Sequence, residues 1–255
     1  MTSTETTTAA QESADKPESC HSGSMGMVRG IPGKHIDSVG VLDLRGITPE
    51  QLKELQSIDS VGIVLVDPEL RTAMSHIKVN SVGSIVDVSS DYQVMIEPWI
   101  ELSRAAVEAM QPGQKLAMVG SVLFKSDIPA ALVAEKFASL IVVGVLMSTG
   151  AVQGALIGKM QINGMSVTIP EGDLPFVHSM GENKVTPGYL TYLADGVVYI
   201  NVGQTEILPE VTEELLARKI ASYYNVGQTI APQWAQDLLK ARCPVNLGQF
   251  TSAEE

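Results

Sequence analysis

A short block centred on one glycine returns along most of this chain, at Gly40, Gly62, Gly83, Gly120, Gly144, Gly164, Gly203, Gly227 and Gly248. Successive gaps are 22, 21, 37, 24, 20, 39, 24 and 21 residues, so most fall between 20 and 24 and two are close to double that. A fixed short period of this kind belongs to repeat architectures, in which each unit is too small to bury its own apolar face and is held by its neighbours. The residue before the glycine is valine in most copies, leucine at 247 and asparagine only at 163, and Asn-Val-Gly-Gln-Thr occurs twice, at 201–205 and 225–229.

Each block opens on a short β-branched run such as Val61-Gly-Ile-Val-Leu-Val or Val119-Gly-Ser-Val-Leu-Phe, which reads as a strand. Two places beyond the glycine sit Leu42, Val64, Ile85, Val122 and Leu146, an apolar column that only strands stacked in register need; the later copies hold Ser166, Thr205 and Thr229 there. Helix starts follow at Pro49, Pro68-Glu69, Pro129, Pro170-Glu171, Pro209-Glu210 and Pro232, because proline fits the first helical turn and glutamate suits the positive end of the dipole. Apolar residues at helical spacing come next, for example Leu132, Phe137 and Leu140, or Leu215, Leu216 and Ile220. The unit is strand, turn, short helix and return in about 22 residues, shorter than the ~30 of a βαβ crossover.

The expected fold is therefore α/β: a repeat solenoid of strand–turn–short-helix units, forming a single domain over 31–255 behind a disordered tail at 1–30. That tail is rich in Thr, Ser, Glu and Gly with few large aliphatics, a composition unable to offset the entropy of ordering. The two double-length gaps are read differently. Trp99 to Met110 carries strong helix formers and predicts a longer helix ended by Pro112-Gly113, and 181–200, with Asp195-Gly196 between two apolar runs, predicts an inserted β-hairpin.

The block from Ile47 to Val66, with its neighbours, is similar to the short-period solenoids typified by leucine-rich repeat proteins, over about residues 36–250. The place where that family carries a buried asparagine after its strand holds Val66, Asp67 or Ser89 here, and a partly β-helical solenoid fits the same spacing. The resemblance implies a scaffold that binds protein partners along one face or assembles end to end with its own copies, and it implies no catalysis.

Charge and cysteine usage narrow the partners. A formal net charge of −12 repels phosphate backbones and anionic membrane surfaces, so neither nucleic acid nor membrane is expected. Cys20 and Cys243 form neither a disulfide framework nor a zinc-binding pattern, and Cys20-His21 is an incomplete metal site, which together favour a cytoplasmic setting without metal or cofactor. His35, His76 and His178 share no register, and no nucleophile elbow, P-loop or His-Glu-x-x-His motif occurs. The Gly150-x-x-x-Gly154-x-x-x-Gly158 run reads as small residues permitting tight helix packing.

The remaining contact candidates are few. Asp43, Asp67 and Asp87, with Asp127, end strands and suggest an acidic edge for a basic partner, and Trp99, Tyr189, Tyr192 and Tyr199 are the aromatic candidates for a contact surface. The sequence thus leads to a structural or protein-interaction scaffold, self-assembling end to end in one version. Its alternative is a ligand-binding protein or enzyme with a pocket between the solenoid and the hairpin at 181–200.

Overall fold

The computed structural model describes residues 26–172 and 174–252. It is an α/β structure whose strands pair in parallel throughout, in several sheets that do not close into a barrel. The tail expected at 1–30 is described only from residue 26, and there Met27–Arg29 is a strand, because its edge pairs with Val41–Asp43. The remainder of that tail, Cys20-His21 included, lies outside the described residues.

The glycine ladder is not one ladder but three. The first stack holds β1 (Met27–Arg29), β2 (His35–Asp43) and β3 (Ser57–Val66), with β4 (Lys78–Val79) and β5 (Val82–Asp87) forming its last layer. The middle stack holds β6 (Gln93–Leu102), β7 (Gln114–Phe124), β8 (Phe137–Ser148) and β9 (Met160–Thr168). In the last stack each layer has two short arms: β10 (Phe176–Ser179) and β11 (Glu182–Val185), β12 (Val197–Asn201) and β13 (Gln204–Ile207), β14 (Ile220–Asn225) and β15 (Gln228–Ile230), β16 (Val245–Asn246) and β17 (Gln249–Thr251). No pairing joins β5 to β6 or β9 to β10. The double-length gaps are the places where one stack ends and the next begins.

Each double gap also hides a first layer. Gly120 sits over the carbonyl of Glu97 and Gly203 over that of Gly181, and the β1–β2 register brings Gly26 opposite Gly40. The corner columns are thus Gly26, Gly40, Gly62, Gly83; Glu97, Gly120, Gly144, Gly164; and Gly181, Gly203, Gly227, Gly248. Gly40, Gly120 and Gly203 are 80 and 83 residues apart, Gly62, Gly144 and Gly227 are 82 and 83, and Gly83, Gly164 and Gly248 are 81 and 84. The chain is three copies of one four-layer stack.

The corner explains the glycine. At Gly120, Gly144 and Gly164 φ is +134° to +147°, and a Cβ there would be driven into the backbone of the layer below. Each layer bends at this point into two arms, and the arms and a short helix enclose a core. In the middle stack that core takes Leu116, Met118, Val122 and Phe124 from β7, Leu140, Val142 and Leu146 from β8, and Val107, Val133 and Val152 from the helices α2 (Arg104–Ala109), α3 (Ala130–Lys136) and α4 (Gly150–Ala155). The column Val122, Leu146, Ser166 pairs in register as expected.

Several local expectations give way. Trp99 to Met110 is not one helix: Trp99 lies on β6, and the helix is only α2, because Ser103 caps it by accepting from the Ala106 N–H at 3.2 Å. The segment 181–200 is not a hairpin. Leu190 and Tyr192 belong to helix α5 (Pro187–Tyr192), and β11 and β12 pair with other layers in parallel, so Asp195-Gly196 is the return from helix to strand. Pro49 and Pro68 do start helical turns, and Pro129 and Pro232 stand at the caps of α3 and α7 (Gln233–Ala241). Pro170 instead lies on the crossover to the last stack, and Pro209 precedes α6 (Glu213–Lys219), whose cap is Thr212. The Gly154 position has no neighbour within 4 Å of a Cβ, so close helix packing is not its role.

Candidate functional site: the seams and the buried polar columns

The stacks meet along two apolar seams that follow one rule. The arm after the corner of one stack packs on the arm before the corner of the next. Val41, Leu65, Val86 and Val88 of the first stack meet Ala117, Val119, Ile141 and Val143 of the middle one. Leu123, Val145, Met147 and Val167 of the middle stack meet Val198, Ile200 and Tyr224 of the last. The outer arms, which have no further stack to meet, turn polar: His35, Asp37 and Asp59 at one side, Gln204, Glu206, Gln228 and Gln249 at the other. Polar end units of this sort terminate repeat arrays.

The seams are where the sequence candidates come to rest. Asp43 is 2 % exposed and holds Arg45 through two parallel bonds, Nε to Oδ1 at 2.8 Å and Nη2 to Oδ2 at 2.9 Å. Arg45 Nη1 then donates to the carbonyl of Tyr92 at 2.9 Å and reaches that of Ser89. It pins the crossover that climbs from β5 to β6. Asp43 is therefore a buried strut and not part of an exposed acidic edge. Asp67 is half-buried and accepts from the Gly46 N–H at 2.7 Å, while Asp87 is exposed and 3.5 Å from Arg71. The three aspartates do not form one strip.

The aromatic candidates separate in the same way. Tyr199 is fully buried, stacked 5.6 Å from Tyr223, with its hydroxyl accepting from Asn183 Nδ2 at 2.8 Å. Tyr189 is half-buried beside it, and burial pushes its phenol up to about 12. Burial raises Tyr223 as well. Tyr192 is 92 % exposed on α5. Trp99 is at the second seam, on the opposite face of the β10–β12 sheet from Tyr199, stacked on His178 with centroids 4.0 Å apart and planes 10° from parallel. Burial lowers the imidazole's pKa, opposed by the nearby Glu101 charge. These four residues make no common surface, and 181–200 supplies the layer strands β11 and β12 and the helix α5 in place of the expected hairpin.

Two sets of buried polar side chains lie outside the contact candidates, the first being asparagines beside the corner glycines, which the sequence suggests as structural partners for backbone amides. Asn201, Asn225 and Asn246 form a column inside the last stack: Asn201 Nδ2 donates to Asn225 Oδ1 at 3.0 Å and to the Gln228 carbonyl at 2.9 Å, and Asn225 Nδ2 donates to Asn246 Oδ1 at 2.9 Å. Thr205 and Thr229 close the network from the facing arm. The second set is cationic. Lys136 Nζ reaches back to the Met110 carbonyl at 2.8 Å, Lys159 to those of Ala134 at 2.7 Å and Phe137 at 3.1 Å, and Lys219 to that of Leu193 at 2.7 Å. Arg242 makes the same reach to Ala217 and Ile220. Each cation satisfies carbonyls at the C-terminal end of the preceding helix, where the dipole is negative. The spacing of 23 residues from 136 to 159 and from 219 to 242 was the available signal.

Clefts open on this framework at the seams and beside the first helices. The first, about 560 Å³, lies at the first seam among Met27, Arg29, Asp43, Arg45 and Tyr92. The second, about 260 Å³, is at the second seam between the Glu101–Lys125 ion pair (2.7 Å) and Leu174–Phe176, near the crossover that Ser126 holds by donating to the Gly172 carbonyl. The third, about 710 Å³, is lined by Pro49, Asp67, Glu69 and Asp91. Among the described residues no three of His, Cys, Asp and Glu are grouped as metal ligands, and no helix is long and apolar enough to cross a membrane. Comparison with known protein families, with curated proteins and with solved structures gives no match for this chain.

Proposed function

We propose that this protein is a structural or protein-interaction scaffold, built as a solenoid of strand–helix layers in three side-by-side stacks and working in the cytoplasm. The observation that carries the reading is the use made of buried polar groups. Asp43 with Arg45, the Asn201–Asn225–Asn246 column and the Lys136, Lys159, Lys219 and Arg242 reaches each tie one layer or crossover to another, and Asp43 and Arg45, which line the first cleft, are bonded to each other and to the crossover. A catalytic site needs the reverse, convergent groups left open for substrate. Cys243, a half-buried free thiol whose pKa is raised by burial, suits a reducing compartment.

The geometry supports partner binding over open-ended stacking. For a copy to add its first layers on top of the last layers of another, Glu97 would have to sit over the Gly164 carbonyl. At the equivalent places inside the stack only glycine fits. Pro98 beside it has no N–H to offer, and the ladder is already irregular between Ile96 and Trp99. A thermal-shift screen against a broad set of metabolites and cofactors tests the reading. The expected result is no stabilising small molecule, and one that raises the melting temperature by several degrees at stoichiometric binding overturns it.

A further inference from the structure

We infer that the last-layer end of the molecule is a self-association surface, and that two copies meet there about a twofold axis through β9. The inference takes the scaffold reading as its ground and names the partner as a second copy of this chain.

The two ends of the stacks differ in kind. First layers lie together at one end: Trp99 of β6 stacks on His178 of β10, and Met27 and Arg29 of β1 share a cleft with Val94 and Ile96 of β6. That end is guarded by Glu97, Pro98 and Glu182, the devices by which edge strands resist pairing. The last-layer end carries β9, nine residues reading Met-Gln-Ile-Asn-Gly-Met-Ser-Val-Thr, without a charge or a proline in a chain of net charge −12. It is the edge strand of the middle sheet.

Its backbone is open for pairing. Lys159 gives its carbonyl to Leu140 and Ile169 gives its N–H to Ser148, so odd-numbered residues turn toward β8. By strand alternation Met160, Ile162, Gly164, Ser166 and Thr168 present their N–H and C=O groups outward. Four of the seven exposed large apolar side chains among the described residues lie at this end, while Met27 at 50 % and Tyr192 at 92 % belong to first layers and Leu174 at 36 % to a crossover. Val79 in the last layer of the first stack is 39 % exposed, Met165 on β9 39 %, Leu247 in the last layer of the last stack 48 %, and Ile157, in the turn leading into β9, 81 %. Asn163 stands where Val119 and Val143 stand in the layers below, and its Nδ2 is buried without a partner among the described residues.

A second copy is the occupant that the surface itself specifies. The edge continues the layer-on-layer contact already repeated inside each stack, and it lacks the like charges that would keep two acidic molecules apart. An isologous contact pairs the strand with itself in antiparallel sense. Centred on Gly164, it brings the two corners together where neither carries a Cβ. It also lays the first stack of one copy over the last stack of the other, setting Val79 toward Leu247. Because the guarded ends face outward, the assembly closes at two copies.

Light scattering coupled to size-exclusion chromatography on the full chain, from 1 to 100 µM, reads the outcome directly; these are roughly the concentrations at which a modest interface declares itself. The expected mass is twice 27.2 kDa. Ser166→Lys places an inward charge at the open edge and should give monomer, whereas Gln93→Lys on the guarded edge should leave the dimer intact. Ile157→Lys, at a side chain 81 % exposed, should weaken association at least about tenfold, and it keeps the test alive if Ser166→Lys fails to fold. A wild-type monomer at 100 µM, growth into fibres, or loss of the dimer in Gln93→Lys but not in Ser166→Lys or Ile157→Lys would overturn the inference. Discovery of a stabilising metabolite would instead remove the scaffold reading beneath it.

Discussion

A Cβ placed on Gly62 would lie 2.7 Å from the carbonyl oxygen of Gly40 in the layer beneath. That one approach turns a sequence period into a stack. Parallel layers 4.7–4.9 Å apart leave room for side chains on the two faces of the sheet but not along the stacking direction, and a corner aims its Cβ along that direction.

The glycines therefore rank by cost. Gly154→Ala meets open space on α4 and should be stabilising by about 0.5–1 kcal/mol through helix propensity. Gly62→Ala must displace backbone and should cost about 1–3 kcal/mol. Gly144→Ala adds a φ of +135° to a worse clash, so its cost should exceed that of Gly62→Ala by a further ~1 kcal/mol or more. Urea midpoints of the three variants check the order, and equal values for Gly62 and Gly154 would refute the role given to the corner.

Asn225 is buried and joined to Asn201, Asn246 and Thr229 at once. Asn225→Leu leaves the Asn201 amide short of an acceptor and the Gln249 carbonyl short of a donor, a loss of about 2–6 kcal/mol at ~1–3 kcal/mol for each unmade buried bond. Hydrogen exchange should show the loss as faster opening of β14 to β17, with β7 and β8 of the middle stack unchanged.

Stability should fall in acid through His178. Its ring stacks on Trp99 and partial desolvation lowers its pKa from the ordinary 6.5, so the unfolded chain binds the proton more tightly and stability is lost as pH falls from above 6.5 through the folded value, a small effect because His178 is otherwise exposed to solvent. Glu101, itself paired with Lys125 at 2.7 Å, softens the effect without reversing it. His178→Phe keeps an aromatic ring against Trp99 and should remove this part of the pH dependence; denaturation midpoints at pH 8 and pH 5.5 measure it. An unchanged acid slope in the variant would assign the loss to other groups.

How much of this was legible in the sequence depends on what each residue answers to. The column Leu42, Val64, Ile85 was readable because strand register and side-chain period leave one solution. Gly26, Glu97 and Gly181 were missed because the crossovers at 88–92 and 169–175 shorten the spacing on one side of them and the first layers lack the flanking valine. Helix starts misled at Pro170 and Pro209, since Ser103, Thr149 and Thr212 cap their helices with a hydroxyl and no proline follows, whereas Thr48 caps the helix that Pro49 does open. Tyr199 looked like a contact residue because its burial depends on Tyr223 in the next layer, a neighbour 24 residues away that local patterning does not reveal. The same holds for Asp43, whose partner Arg45 is nearby while the crossover they hold is assigned only by the fold.

The Asp43–Arg45 pair supplies the sharpest test of how the stacks are held together. Arg45→Met removes the bonds to both Asp43 oxygens and to the Tyr92 carbonyl, leaving a carboxylate that is 2 % exposed with only the distant Arg29 at 4.0 Å for a counter-charge. Breaking a buried pair in this way costs about 3–5 kcal/mol, while replacing both partners by apolar residues of similar size is often close to neutral. Asp43→Leu combined with Arg45→Met should therefore recover most of the loss in global stability. It should not recover the crossover, because the carbonyls of Ser89 and Tyr92 still lack their donor. Limited proteolysis between β5 and β6 separates the two effects: cleavage there that is faster in the double variant than in wild type, at matched melting temperature, is the signature of a strut. Equal cleavage would mean that the apolar seam alone holds the first two stacks together.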